Sequence, residues 1–349
     1  MTTAPPAARG PEGRRRRFRP TFAVVAFTVL SSLAVLPVLV LGLLESNQRE
    51  TQLRTAFDSQ AAQQAATVSG MLSQSLAGKA EVLTVTAGTL RALEEWHPEE
   101  LIAVADAQLA TTGSFDALYV ADADGRSLIF APTIRPDGTP NQAGIDYSDR
   151  SYYQELIQTK SVAYSHVQVG KASQVPNIAV AVPIMDSSDS GGEALLQGYV
   201  AAGIDVPSIT RLVREAMYVE DGQRVLIVDS QKNVLVDSTS RLTFLEQVPS
   251  NTVWTARCAS PLSGLEGLDE SGTRVRLACA PLQLGQQTWN VFASSPTSVI
   301  LKDVTTARAS TFRFAAVALV LAIAVSGLLA VAIGQQMRCL LYTSPSPRD

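Results

Sequence analysis

Leu118-Tyr119-Val120-Ala121-Asp122-Ala123-Asp124-Gly125-Arg126-Ser127-Leu128-Ile129-Phe130 is an apolar run, a polar turn and a second apolar run. Short runs rich in Val, Ile, Tyr and Phe on either side of an Asp/Gly turn read as a β-hairpin. The pattern returns about a hundred residues later. Val225-Leu226-Ile227-Val228-Asp229 precedes turn residues Gln231-Lys232-Asn233, and Val234-Leu235-Val236 follows. Two hairpins of one design predict two strand-rich units in tandem. A calcium loop at Asp122 and Asp124 would need further spaced ligands and a closing Glu. Those are absent, so a plain turn is expected.

Outward from the first hairpin, Tyr152–Thr159 reads as a short helix, and Val162–Val169, Asn177–Pro183 and Gly198–Val206 as strands. Asp186–Gly192 reads as a hairpin loop. Pro207–Val219 reads as an amphipathic helix, with Ile209, Leu212, Val213 and Met217 on one face. After the second hairpin, strands are expected around Val253–Cys258, Val275–Ala280 and Trp289–Ala293, and a helix over Pro296–Thr311. Before the first hairpin, 46–95 has helical composition without proline, and Leu72, Leu76, Val82, Leu83, Leu90 and Leu93 recur near helical spacing. At 1.5 Å per residue such a helix would be a stalk of ~70 Å. Pro98-Glu99-Glu100 places proline and acids in the first turn of another helix.

Charge-free runs flank this region. Thr21–Leu44 and Phe314–Gly334 are each long enough to span a bilayer. The chain is 46% apolar and 17% charged, against ~25% charged in typical soluble proteins. Six arginines and Glu12 give residues 1–20 a charge of +5, leaving -9 elsewhere. Arginines before an apolar span place the N-terminus in the cytoplasm. An acidic body argues against nucleic-acid binding. A signal peptide would have a shorter apolar region and a small-residue cleavage site, whereas Glu45-Ser46-Asn47-Gln48-Arg49-Glu50 follows here. An uncleaved anchor in the cell membrane is therefore expected. The expected domains are a cytoplasmic N-terminus (1–20), a first span (21–44), an extracytoplasmic domain (45–310), a second span (311–334) and a short end (335–349). Within 45–310 lie the stalk (45–95), a membrane-distal unit (96–206) and a membrane-proximal unit (207–310). Cys339 to Asp349 resembles a translated sequencing adapter, so the natural frame is expected to break off near Arg338.

Chemistry-bearing patterns are sparse. His97 and His166 are the two histidines, and no metal-ligand spacing surrounds them. Gly-x-Ser-x-Gly, a P-loop and Gly-x-Gly-x-x-Gly after a strand are missing. No enzyme activity and no cofactor are expected. Cys258 and Cys279 fall on expected strands outside the membrane, where disulfides persist. A bridge closing ~20 residues would add ~3 kcal/mol; two buried thiols are the alternative.

Three stretches carry a family resemblance: Asp146-Tyr147-Ser148-Asp149-Arg150-Ser151-Tyr152-Tyr153, Val180–Ile184 with Gly198–Asp205, and Trp289-Asn290-Val291-Phe292. In this order, between two spans and behind a stalk helix, they resemble the double Cache sensor domain of bacterial transmembrane receptors. The resemblance covers about 45–310. It implies an α/β (α+β) fold of two tandem PAS-like antiparallel-sheet units, with a small ligand bound in the membrane-distal unit. In amino-acid-binding members an Arg-x-Trp-Tyr element holds the ligand carboxylate and a late Asp holds the ammonium. Arg150, Tyr152 and Tyr153 match the first element, with Tyr for Trp, and Asp205 stands at the late Asp. A planar guanidinium suits a carboxylate. The expected Tyr-x-Asp element reads Tyr164-Ser165-His166, so one ammonium acceptor is replaced, which leaves a plain carboxylate open beside an amino acid. Tyr119 completes the candidate ligand-binding set. Arg150 paired with Asp146 or Asp149 would be a purely structural alternative. The resemblance further implies a homodimer that signals to a cytoplasmic module of chemotaxis, histidine kinase or cyclic-dinucleotide type. A membrane-anchored binding or adhesion protein without output is the second reading.

Overall fold

The computed structural model describes residues 22–112, 115, 117–135, 137–186, 194–216 and 222–342. They fall into two compact units: the chain's two ends, up to Thr51 and from Lys302, and Gln52–Leu301.

Helix α1 (Phe22–Arg91) is continuous through the first expected span and the expected stalk, and Pro37 does not interrupt it. Most side chains of the span lie outside the described residues. Helix α6 (Lys302–Tyr342) contains the second expected span. Lys302–Leu329 is the one stretch among the described residues that is long and apolar enough to cross a membrane. Where the two helices pack, a Cβ on Gly42 would meet Thr311 Cγ2 at 2.9 Å. Arg308 donates to Ser46 Oγ (3.1 Å) and Asn47 Oδ1 (2.9 Å). Cys339–Tyr342 continue α6, and the remaining expected adapter residues lie outside the description.

In Gln52–Leu301, α1 buries Ala61, Ala65, Val68, Leu72, Leu76, Leu83, Ala87 and Leu90. Steps of three, four and seven keep these on one helix face. Helix α2 (Pro98–Thr112) follows. The first sheet has strand order β2-β1-β6-β5-β3: β1 is Leu118–Asp122, β2 Ser127–Ala131, β3 Ala163–Tyr164, β5 Pro176–Met185 and β6 Leu196–Asp205. Strand β4 (Gln168–Val169) also pairs with β5. Helix α3 (Ser151–Thr159) lies between β2 and β3, and α4 (Val206–Ala216) follows β6. The second sheet has order β8-β7-β11-β10-β9: β7 Arg224–Val228, β8 Val234–Asp237, β9 Leu262–Leu268, β10 Arg274–Leu284 and β11 Gln287–Pro296. Helix α5 (Thr297–Ile300) ends this unit. Both sheets are antiparallel throughout.

The repeated hairpin has a local cause. Asp122 Oδ1 accepts the N–H groups of Asp124 (3.1 Å) and Arg126 (2.8 Å). Asp229 Oδ1 accepts those of Gln231 (2.9 Å) and Asn233 (2.8 Å). An aspartate that caps its own turn substitutes for the ladder bonds that the turn lacks. Asp269 repeats the device between β9 and β10, with Ser271 (2.9 Å) and Thr273 (2.8 Å).

Several expectations need correction. The strand expected at Val253–Cys258 is a 3₁₀ turn at Val253–Thr255, and the strand of that region is β9. Buried Trp254 is held by its indole N–H on Glu270 (3.0 Å), a tertiary bond that outweighs the β-propensity of Val and Trp. Cys258 therefore lies off any strand, bonded to Cys279 on β10 across a Cα–Cα distance of 6.3 Å. The strand expected over Val162–Val169 breaks into β3 and β4 around Ser165-His166-Val167. Met217–Val219, the end of the expected amphipathic helix, and most of the 186–192 loop lie outside the described residues.

Candidate functional site

Each sheet strand alternates its side chains between two faces. On the first sheet one face carries Leu118, Val120, Ile178, Val180, Val182, Val200 and Ile204, packed in one core with α1 and α2. The other carries Tyr119, Ala179, Ala181, Ala201 and Gly203. The small residues Ala179, Ala181, Ala201 and Gly203, beside Tyr119 and Tyr199, leave a hollow on this face. A cavity of about 500 Å³ opens there, walled by Tyr119, Ala179, Gly203 and Asp205 from the sheet and by Tyr147, Arg150 and Tyr152 from the segment leading into α3.

Arg150 is the N-cap residue of α3, in extended backbone conformation, and its side chain makes no capping bond. A guanidinium has no acceptor with which to cap a helix, and that of Arg150 lines the cavity. Nη1 donates to Gln168 Oε1 at 3.0 Å, and Nε is buried without a partner. Asp149 bonds Lys171 Nζ instead (2.6 Å), so the purely structural pairing of Arg150 with its acidic neighbours is not what forms. A buried N–H without an acceptor costs roughly 1–3 kcal/mol. The arrangement is suited to a carboxylate arriving from outside.

Across the sheet Asn177 pairs in register with Asp205. Asn177 Oδ1 is a second buried polar atom without a partner. The Asn177 side chain fits because Gly170 and Gly203 lie under it: a Cβ on either would approach Asn177 Nδ2 to 2.6 or 2.9 Å. Asp205 accepts the Ser208 N–H (3.1 Å) through Oδ2 at the start of α4. The cavity wall therefore carries a cation and, near it, a carboxylate beside an amide oxygen.

Aromatic rings form the floor. Tyr119 stacks on Tyr147 (centroids 4.6 Å apart, planes 18° apart), and the Tyr119 and Tyr152 hydroxyls bond at 2.6 Å. Burial pushes the Tyr119 hydroxyl well above its usual range, and the same cause raises that of Tyr152. Both are neutral donor-acceptors at any physiological pH.

Of the seven candidate ligand residues, Tyr119, Arg150, Tyr152 and Asp205 line the cavity and three do not. Tyr153 is one helical step from Tyr152 and turns away, its hydroxyl on the Ala123 carbonyl at 2.8 Å. Tyr164 is on the opposite sheet face from Ala163 and joins the α1-side core. His166 lies in the break between β3 and β4, with Nδ1 3.3 Å from Ser230 Oγ and 4.0 Å from Asp229 Oδ2. Sequence reasoning missed Arg135, Asn141, Tyr147, Gln168, Lys171 and Asn177 on the wall. Tyr147 was within reach, being inside the Asp146–Tyr153 stretch. The others come from loops and from strands β4 and β5, which only tertiary folding brings together.

Solved structures similar in fold include chemoreceptor ligand-binding and sensory domains. The ligand-binding domain of Pseudomonas fluorescens CtaA with L-isoleucine superposes with TM-score 0.54 at 16% identity, over 74% of this chain and 98% of that one. Pseudomonas aeruginosa PctB with L-Arg gives 0.54 at 16%, over 70% and 96%. The periplasmic sensory domain of Campylobacter jejuni Tlp1 gives 0.57 at 10%, over 72% and 98%. No curated protein sequence matches the chain. The Cache domain signature matches residues 46–304, most of the polypeptide, and so the chain belongs to the Cache domain family.

Proposed function

We propose that this chain is the sensing and transmembrane part of a bacterial signal-transduction receptor that binds a small carboxylate or amino acid in its membrane-distal unit (96–206). The observation that carries the reading is the cavity whose wall holds an unpartnered buried Arg150 Nε, an unpartnered Asn177 Oδ1 and Asp205. CtaA and PctB, which share the fold, were solved with amino acids bound. A ligand carboxylate takes Arg150 Nε and its neighbouring N–H. An amine, where present, takes Asp205 and Asn177. The role is binding rather than catalysis.

The segment that carries Arg150 also touches the proximal unit (207–310). Glu155 on α3 accepts the Gln286 N–H (3.0 Å), and Gln287 donates to the Tyr164 carbonyl (2.7 Å). Ligand binding shifts a pre-existing equilibrium in the position of this segment, and the proximal unit relays it. Spans at 21–44 and 311–334, a cytoplasmic N-terminus, a dimer and a cytoplasmic output module complete the proposal. Its support is the Arg-rich start, the apolar stretch of α6 and the receptor origin of the similar folds.

The test is a thermal-shift screen of the full chain in nanodiscs against amino acids and small carboxylates. A ligand at 100 times Kd adds ~2.7 kcal/mol, which raises Tm by roughly 5 °C for a domain of this size. Arg150→Ala is expected to abolish the shift. A hit whose shift survives that substitution refutes the role of Arg150.

A further inference from the structure

Six arginines among the described residues are shielded from full exposure: Arg54, Arg135, Arg150, Arg224, Arg276 and Arg308. Four have carboxylate partners. Arg54 pairs with Glu266, Arg224 with Asp237 and Glu270, Arg276 with Asp58 and Glu266, and Arg308 with Glu50. Arg135 and Arg150 have no ion pair among the described residues, and both line the one cavity described above.

Arg135 is held by neutral groups. Nε donates to Asn141 Oδ1 and Nη2 to the Ala172 carbonyl, both at 2.7 Å. These bonds fix the plane of the guanidinium and do not neutralise it. Asn141 is itself braced, its Nδ2 on the Pro132 carbonyl (2.7 Å). Both guanidiniums act on one group in the wall. Burial raises the Tyr147 hydroxyl, Arg150 and Arg135 each oppose that rise, and the net position is about 12. The other charges on the wall are largely engaged. Lys171 has Asp149, and Asp205 caps α4; exposed Asp137 accepts the Thr139 N–H (2.9 Å) and hydroxyl (2.6 Å), which hold its carboxyl low, and Arg135 adds to this only from a distance, without an ion pair. A half-buried charge without a counter-ion is costly, and here the cost falls twice on a single ligand-sized space.

We infer that Arg135 is a second anion-binding residue of this cavity, and that the ligand carries two anionic groups, one for each guanidinium. The inference rests on the reading of the cavity as a carboxylate site. It narrows the ligand to dicarboxylic acids, including the acidic amino acids, where Asp205 and Asn177 receive the amine.

The experiment is isothermal titration of the full chain in nanodiscs with two matched pairs, L-glutamate against L-glutamine and succinate against succinamate. Each pair differs by one charge at nearly constant shape. In at least one pair the member with the second carboxylate is expected to bind about 10–100-fold tighter, the range of a hydrogen bond to a charged group. Arg135→Gln should erase that preference while leaving the amide's affinity in place, Arg135→Lys should retain part of it, and Arg150→Ala should weaken both members. Equal binding of acid and amide to the unmutated chain, or an equal loss for both on Arg135→Gln, overturns the inference while leaving an Arg150-dependent carboxylate site intact. Absence of binding by all four probes overturns it together with the carboxylate reading. Should Arg135→Gln fail to fold, judged by its unliganded Tm, the acid-amide ratio of the unmutated chain and of Arg135→Lys decides.

Discussion

Replacing Arg224 by alanine should cost this protein more stability than any change in the ligand cavity. The Arg224 guanidinium, 5% exposed, makes four bonds to two carboxylates: Asp237 at 2.9 and 2.7 Å, and Glu270 at 2.7 and 2.9 Å. It also lies 5.0 Å from the centre of the Trp254 ring. Asp237 accepts the N–H groups of Thr239, Arg241 and Leu242 as well, at 3.0, 2.9 and 2.8 Å. Truncating the arginine strands a fully buried carboxylate, which costs ~3–5 kcal/mol and lowers Tm by roughly 10 °C. Burial alone would raise the Asp237 pKa, but the Arg224 and backbone bonds outweigh it and the net shift is downward. A carboxyl with a depressed folded-state pKa contributes stability above its unfolded value, about 3.9, and loses it as pH falls through the folded one. Tm of the unmutated chain should therefore drop steeply below about pH 4. Asp237→Asn should start lower at pH 7 and fall less over that window. Differential scanning calorimetry of the full chain at pH 7 and across pH 5 to 3 measures both. An Arg224→Ala variant melting within about 2 °C of the unmutated chain refutes the reasoning, since that shift corresponds to only ~1 kcal/mol.

Ala179→Leu puts a large side chain on the cavity face opposite Gly203. It should abolish ligand binding in titration calorimetry while far-ultraviolet circular dichroism stays unchanged. His166→Ala, whose side chain is off the cavity wall and faces Ser230 and Asp229, should alter ligand affinity less than about twofold, or ~0.4 kcal/mol by direct conversion. The chain has three cysteines, so thiol titration should find one before reduction and three after. Opening the Cys258–Cys279 bridge should cost ~3 kcal/mol in a melt with reductant.

The tandem hairpins were legible because each depends on a local device, an aspartate that caps its own turn. Most helices were legible from spacing and composition, but the helix expected over Pro296–Thr311 breaks at Leu301 into α5 and the start of α6. The Val253–Cys258 error shows the limit of that approach: Trp254 lies where Glu270 and Arg224 hold it, and neither is near in sequence. The cavity was legible in part. The alternation Ile178-Ala179-Val180-Ala181-Val182, with Gly203 on the neighbouring strand, marks a face of small residues over a face of large ones. Arg150 and Asp205 could be found through the family resemblance. Tyr153 and Tyr164 could not be assigned a side without the start of α3 and the register of β3. Arg135 could not be assigned to the wall, since Ala172, which holds its Nη2, comes from a separate loop.

The central claim, a small carboxylate held between Arg150 and Asp205, is tested most directly by a ligand-bound crystal or cryo-electron-microscopy structure of the chain with the tightest binder from the screen. The account predicts the ligand carboxylate within about 3 Å of Arg150 Nε, with the Tyr119–Tyr152 floor beneath it. Ligand density in the proximal unit, or in the cavity but away from Arg150, would contradict it.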